Sequence, residues 1–437
     1  VARILTAPIT RALIVESPHV SLDDRLREIG IEPVRVDKLG SEDELIGHLL
    51  ATGAQVLFKR SRVLVTRRVV ESAPALQLVQ LCCIGDDSVD KVACADHGVL
   101  VCNDPVSNGR SVVELAVAHM IALSRRLYET DAHTHANQWD KSESERWEVL
   151  GKRVGVVGLG NIGRQVAKIS EQLGMEVHFY DSRLVAQEVG VEMGWHLAPD
   201  LEALFRRVDI ITTHVSATDA WGNDNTGLLD PVLAHLGAER PERSPRVFLN
   251  LARGNIHSSD ALLAAVNAGK IRRAAVDVYP EEPSPGAPAW HNPYADQPRI
   301  ACTPHIGAAT QEAQPRIARR VVDTVGRFAR QGALRDCVFA PRVDLAVPNL
   351  RPGNAVLAVV HGTVRGTKKA IDDAIYEAGA SNLGSAHCDF DNGVAYDLSV
   401  LDRPLPPEEL DRLVSRAAVL AGDPNAIRAV RQVVVQA

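Results

Sequence analysis

The sequence has no long apolar run, no excess of positive charge and few cysteines, and each absence narrows its function. No apolar stretch reaches the ~18 residues that a membrane-crossing helix requires, so no bilayer partner is expected. Lys and Arg total 48 against 55 Asp and Glu, a formal net charge of −7. That balance argues against nucleic acid or an acidic membrane surface as the main partner. The seven cysteines are an odd number, and no C-x-x-C spacing occurs. Neither a disulfide framework nor a metal site is expected, and buried reduced thiols in a cytoplasmic protein fit best. The opening stretch VARILTAPITRALIVES lacks the apolar core of a secretory signal, so none is expected. At 437 residues the chain should hold two to three domains.

What is present is a glycine-rich unit at residues 154–181, VGVVGLGNIGRQVAKISEQLGMEVHFYD. It carries Gly158, Gly160 and Gly163 in G-x-G-x-x-G spacing, after an apolar strand-like run and before a helix-periodic segment, and it closes on Asp181. A bare glycine triplet says little. Strand, glycines, helix, second strand and terminal acid in one ~30-residue unit point to a dinucleotide site. Gly158 permits the turn, Gly160 lets a pyrophosphate approach the backbone, and Gly163 lets the helix pack close to the sheet. The helix start at Asn161 and Ile162 would offer free N–H groups to the phosphates. Asp181 can accept bonds from ribose hydroxyls and would repel a 2′-phosphate, which favours NAD over NADP.

The pattern along the chain reads as α/β. Candidate strands Ala12–Val15, Gln55–Phe58, Leu78–Cys83 and Val99–Cys102 alternate with helical segments, and a helix is expected over Ser111–Leu127. A second βα series runs from Arg153, with strands at Asp209–Thr213, Arg246–Asn250 and Ala274–Val278. A helix between Ser259, its candidate N-cap, and Gly269 follows the same logic. Another spans Thr310–Ala329, where Pro315 should give a bent or late-starting first turn. Residues 335–353, with Pro341, Pro348 and Pro352, read as a linker. The last ~85 residues read as βαββαβ, a separate ferredoxin-like block.

Three segments downstream of the glycine unit carry chemistry: NLARG with Arg253, DVYPEEP with Glu282, and TPHIG with His305. Each follows a predicted strand, and the carboxyl ends of strands line the ligand crevice of open α/β sheets. A histidine can take a hydroxyl proton, a carboxylate can orient its ring, and an arginine can bind a substrate carboxylate. Singly each residue is weak evidence; the ordered set after a cofactor unit fits oxidation of a hydroxy acid.

With these motifs the chain resembles the D-isomer-specific 2-hydroxyacid dehydrogenase family, in particular its 3-phosphoglycerate-oxidising members with a C-terminal ACT domain. The resemblance implies two Rossmann-like parallel-sheet domains plus the ACT block. The substrate-binding domain would be residues 1–106 with 308–335, the NAD-binding domain 107–307, the linker 336–352 and the ACT-like regulatory domain 353–437. It implies Arg253, Glu282 and His305 as the catalytic set and Asp277 among the cofactor-binding residues. KRSR places Arg60 and Ser61 at the substrate, and SNGRSVVEL places Asn108 there. A small-molecule substrate and a homo-oligomer, up to a tetramer, are implied, with Trp139 and Lys141 in a segment that reaches across the dimer.

Departures stand beside the resemblance. Asp86 and Asp87 occupy a turn that is usually uncharged and would repel an anionic substrate unless they meet cations. In the ACT block His361 remains at the effector position, but Thr363 and Arg365 replace asparagine and proline. Another D-2-hydroxy acid as substrate, or a non-catalytic NAD sensor, stay open as alternatives.

Overall fold

A computed structural model describes residues 2–219, 223–283 and 289–436. The chain forms two compact units, Val1–Pro105 with Gln314–Ala437, and Val106–Ala313.

The first unit contains a parallel five-stranded sheet in the order Glu32–Val36, Arg11–Val15, Val56–Lys59, Leu78–Leu81, Leu100–Cys102. Its central strands are buried throughout, which is why they read as unbroken apolar runs rather than as alternation. The helix Ala313–Gln331 packs Ile317, Val321, Val325 and Phe328 into the same core. It begins at Ala313 and not at Thr310, so Pro315 falls in the first turn, where its missing N–H costs nothing.

The second unit is built on a parallel seven-stranded sheet. Its order is Ile300–Cys302, Arg273–Val276, Val247–Asn250, Ile210–Thr213, Arg153–Val157, Glu176–Tyr180, His196–Leu197. The single helix expected over Ser111–Leu127 is two, Gly109–Ser124 and Leu127–His135, divided at Arg126 with φ 56°. The helix Ser259–Asn267 is capped by Ser258, whose hydroxyl accepts from Ala261 N, and not by Ser259.

The C-terminal block has the expected βαββαβ order, but two expectations about it fail. The first concerns the N-terminal residues assigned to the substrate domain: Arg3–Leu5 forms a fifth strand of the C-terminal sheet, parallel to Ile427–Val434. The second concerns separateness. One face of the sheet packs Leu357 and Val359 against Ile371, Leu410 and Leu413 of its own helices Thr367–Glu377 and Pro407–Ala421. The other face places Val356, Ala358, Val360, Tyr396 and Leu398 in the same core as the first sheet. Alternating residues on each strand therefore feed two cores, which explains why the strands Ala355–Gly362 and Val394–Leu401 are buried at every position. The expected linker is likewise tied down: Val338, Phe339 and Val347 are buried, and Leu334 bridges to Leu345.

Tyr396 is the polar pin of this shared core. It is fully buried, and its hydroxyl donates to the Gly332 carbonyl at 2.6 Å. Tyr396→Phe keeps the shape but orphans a buried carbonyl, so stability should fall by about 1–2 kcal/mol. In urea the midpoint should drop with the slope unchanged; an unmoved midpoint would show that the pin carries no stability.

Candidate active site

The turn after Arg153–Val157 is built as the glycine pattern requires. Gly158 has φ 88°, and a Cβ there would lie 2.6 Å from the His214 carbonyl oxygen. A Cβ on Gly163 would lie 2.0 Å from the Gly158 oxygen, so only glycine lets the helix Asn161–Gln172 start this close to the turn. At Gly160 the added atom would meet only the far end of Arg183, at 3.9 Å. Gly160 is also the helix N-cap and has no side-chain cap bond, which suits it to a diphosphate. Ile162 is half-buried and packs against the core beneath, and Asn161 Oδ1 accepts from Gln165 at 3.3 Å. These residues fit a dinucleotide.

Asp181 closes the unit, and its partners could not be read from the motif. Its carboxylate accepts from Leu159 N at 2.8 Å and from Arg183 N at 2.9 Å, and it holds the Arg183 guanidinium at 2.8 Å. Burial works to raise the Asp181 carboxyl, but the bonds from Arg183 and Leu159 outweigh it and hold it below the ordinary carboxylate range. The acid therefore stays ionised where a ribose would meet it, and it restrains the cation that could otherwise greet a 2′-phosphate.

The residues expected to be catalytic come from loops after three neighbouring strands. Val247–Asn250, Arg273–Val276 and Ile300–Cys302 are adjacent and parallel, so their following loops emerge side by side. His305 Nδ1 and Glu282 Oε2 are 2.7 Å apart. Burial would raise the Glu282 carboxyl, but the bonds from His305 and from Tyr279 N and the nearby Arg253 charge bring it below its usual value. Arg253 directs Nη1 to the Ala252 carbonyl at 2.9 Å, and Asn250 Nδ2 donates to the Arg253 carbonyl at 2.8 Å. A Cβ on Gly254 would lie 1.9 Å from the Tyr279 oxygen, so this glycine lets the Arg253 loop lie directly on the loop that leads to Glu282.

Asp277, expected at the cofactor, holds the loop that carries His305. It is buried, and its carboxylate accepts from Thr303 Oγ1 at 2.6 Å, Ile306 N at 2.9 Å and Gly307 N at 2.8 Å. It thereby fixes the loop in which His305 adopts φ 55°. Tyr279 braces the same loop, with its hydroxyl 3.1 Å from the Thr303 carbonyl oxygen.

The other expected substrate residues are placed individually. Asn108 is buried at the start of Gly109–Ser124, and its Oδ1 has no hydrogen-bond partner among the described residues. Arg60 and Ser61 lie in a loop whose backbone is held by Glu16, which accepts from Arg60 N at 2.7 Å and Arg62 N at 2.6 Å. KRSR is thus a turn with an anchored backbone, although Ser61 and Arg62 are exposed. Glu16 lies too far along the chain to have shown this role in the sequence. Asp86 meets cations, with Lys91 at 3.2 Å and Arg342 at 2.7 Å. His361 is buried with both ring nitrogens engaged, and Thr363 is exposed.

A glycine turn that accommodates a dinucleotide, with a His–Glu pair presented from neighbouring strand ends, defines a dinucleotide-dependent oxidoreductase. The family model described as "D-isomer specific 2-hydroxyacid dehydrogenase, NAD binding domain" matches residues 117–307. The D-3-phosphoglycerate dehydrogenase of Dictyostelium discoideum is 30% identical over 85% of this chain and 87% of its own length. That of Haemophilus influenzae is 31% identical over 77% and 78%. A solved structure described as the pyruvate reductase of Chlamydomonas reinhardtii is 25% identical, with TM-score 0.60, over 74% of this chain and 97% of that one. The chain belongs to the D-isomer specific 2-hydroxyacid dehydrogenase family. It is an enzyme, and its cofactor is NAD.

Replacing Asp181 with Ser should weaken NAD by roughly tenfold or more, the worth of one lost charge-assisted bond. It should also free Arg183 and improve NADP. Cofactor titrations of both forms check this; a wild type that already takes NADP equally well would reject the ribose role.

Proposed function

We propose that the chain oxidises D-3-phosphoglycerate to 3-phosphohydroxypyruvate, the reaction that its D-3-phosphoglycerate dehydrogenase relatives are named for. The observation that carries the chemistry is the 2.7 Å contact of His305 Nδ1 with Glu282. Bound NAD supplies the hydride acceptor. With Nδ1 turned to Glu282, His305 has Nε2 left to take the substrate hydroxyl proton. Glu282 stabilises the imidazolium so formed, and Arg253 holds the substrate carboxylate. Arg60, Ser61 and Asn108 are carried as substrate-binding residues, supported by the fixed backbone of the first two and the orphaned Oδ1 of the third. The cations beside Asp86 offset its share of the charge that this turn would turn on an anion. A cytoplasmic location is supported by seven cysteines that are all free thiols.

His305→Ala should lower kcat by ~10²–10⁴-fold while NAD still binds, the usual worth of general acid–base catalysis. Glu282→Gln should lower the plateau and move the acidic limb of the oxidation profile towards lower pH, because an amide supports an imidazolium less than a carboxylate does. Near wild-type kcat in the first variant, or an unmoved limb in the second, would reject these roles. A panel of phosphorylated and plain D-hydroxy acids, ranked by kcat/KM, tests the substrate: a plain acid ranking first replaces 3-phosphoglycerate, and no turnover at all favours a sensor.

The second unit also supports a homo-oligomer. The segment after Leu127–His135 is tied back to its own sheet, where Arg273 meets Glu129 at 2.9 Å and Glu145 at 2.8 Å, and Arg272 stacks over Trp147. Between these ties Trp139 is 85% exposed, which excludes a local core role and suits an interface anchor. Trp139→Ala should weaken association at least tenfold in sedimentation. A wild-type monomer at micromolar concentration would overturn the assignment.

A further inference from the structure

The C-terminal block holds a polar cluster that the dehydrogenase chemistry does not use. Strand pairing creates it. His387 on Asn382–Asp389 lies opposite Asp397 on Val394–Leu401, and Asp397 lies opposite Val359 on Ala355–Gly362, two residues before His361. Period-two alternation puts all three side chains on the face that packs against the block's own helices. His361 Nε2 is 2.7 Å from Asp397 Oδ2, and His387 Nδ1 is 2.9 Å from Asp397 Oδ1. The three donor atoms lie within 4.8 Å of one another.

The outer ring nitrogens decide what the cluster can hold. His361 Nδ1 is 2.8 Å from the Gly362 carbonyl oxygen, which can only accept, so Nδ1 carries the hydrogen. Nε2 of the same ring faces Asp397 Oδ2. His387 repeats the arrangement: Nε2 is 3.2 Å from Asp389 Oδ1, and Nδ1 faces Asp397. Metal-bound histidines are oriented in this way, with the far N–H given to a carbonyl or a carboxylate.

The geometry points to a divalent-cation site of the zinc type, with His361 Nε2, His387 Nδ1 and Asp397 as protein ligands. Two imidazoles and a carboxylate suit Zn(II), which would keep a fourth position for water. Ligands about 2.0–2.2 Å from the ion sit roughly 3.3 Å apart, so the contacts to Asp397 need open by only about half an ångström. Lys368 Nζ now lies 2.7 Å from Asp397 Oδ1, and it competes for the same oxygen. Its side chain is half exposed on the first turn of Thr367–Glu377 and can turn to solvent. The second group of this kind, Glu176, His178 and His196, is a weaker candidate, because Arg153 already occupies its carboxylate at 3.0 Å.

Zn(II) titrated calorimetrically into the chelator-treated full chain should bind with Kd below about 1 µM at this site. His387→Ala, on an open strand that tolerates truncation, should weaken binding at least tenfold and abolish the rise in Tm that Zn(II) gives the wild type. Lys368→Gln should tighten binding, a gain that a purely structural Lys–Asp bond would not give. His178→Ala should leave this binding intact. A Kd above about 1 µM, affinity unchanged by His387→Ala, or affinity lost in His178→Ala would each overturn the proposal.

Discussion

The buried carboxylate of Asp277 is the contact on which the reactive end of the second unit depends. It gathers donors from Thr303, Ile306 and Gly307 and so fixes both sides of His305. His305 itself has φ 55°, a conformation that costs a residue with a Cβ on the order of 1–3 kcal/mol. Such a conformation persists only where its surroundings determine it. Three charge-assisted bonds to one buried acid supply that determination, and they aim the imidazole at Glu282.

Close approach of backbone does the rest. Gly254 lets the Arg253 loop rest on the Tyr279 carbonyl, and Gly163 lets a helix begin against the Gly158 carbonyl. At both places a methyl group would sit far inside van der Waals contact. The spacing of arginine, carboxylate and imidazole is therefore set by where glycine allows main chain to touch main chain. The strand order then ensures that the three loops are neighbours.

How much of this was readable in the sequence depended on distance along the chain. The glycine unit is local: strand, turn, helix and acid lie within residues 154–181, and each part has a steric reason. Arg253, Glu282 and His305 are far apart, but each directly follows a strand, and parallel pairing makes strand ends converge. Elsewhere pairing across the chain decided matters that no local pattern records. Glu16 holds the Arg60 turn, Arg3–Leu5 pairs with the final strand, and Asp277 turns to its neighbour's loop. His361, His387 and Asp397 likewise meet only through antiparallel register. The C-terminal block looked separate because its helical face has a core of its own; the opposite face, with Val356 and Tyr396, shows its use only in the folded chain.

The strand Arg3–Leu5 has a consequence for the order in which the molecule can be made. Its partner, Ile427–Val434, leaves the ribosome more than four hundred residues later. Until then Arg3 cannot reach its sheet, although its guanidinium also belongs on the Leu76 carbonyl beside the first parallel strands. Both parallel sheets can close during synthesis, as units folding in turn. The pairing of Arg3–Leu5 with Ile427–Val434 can close only after both strands have been made.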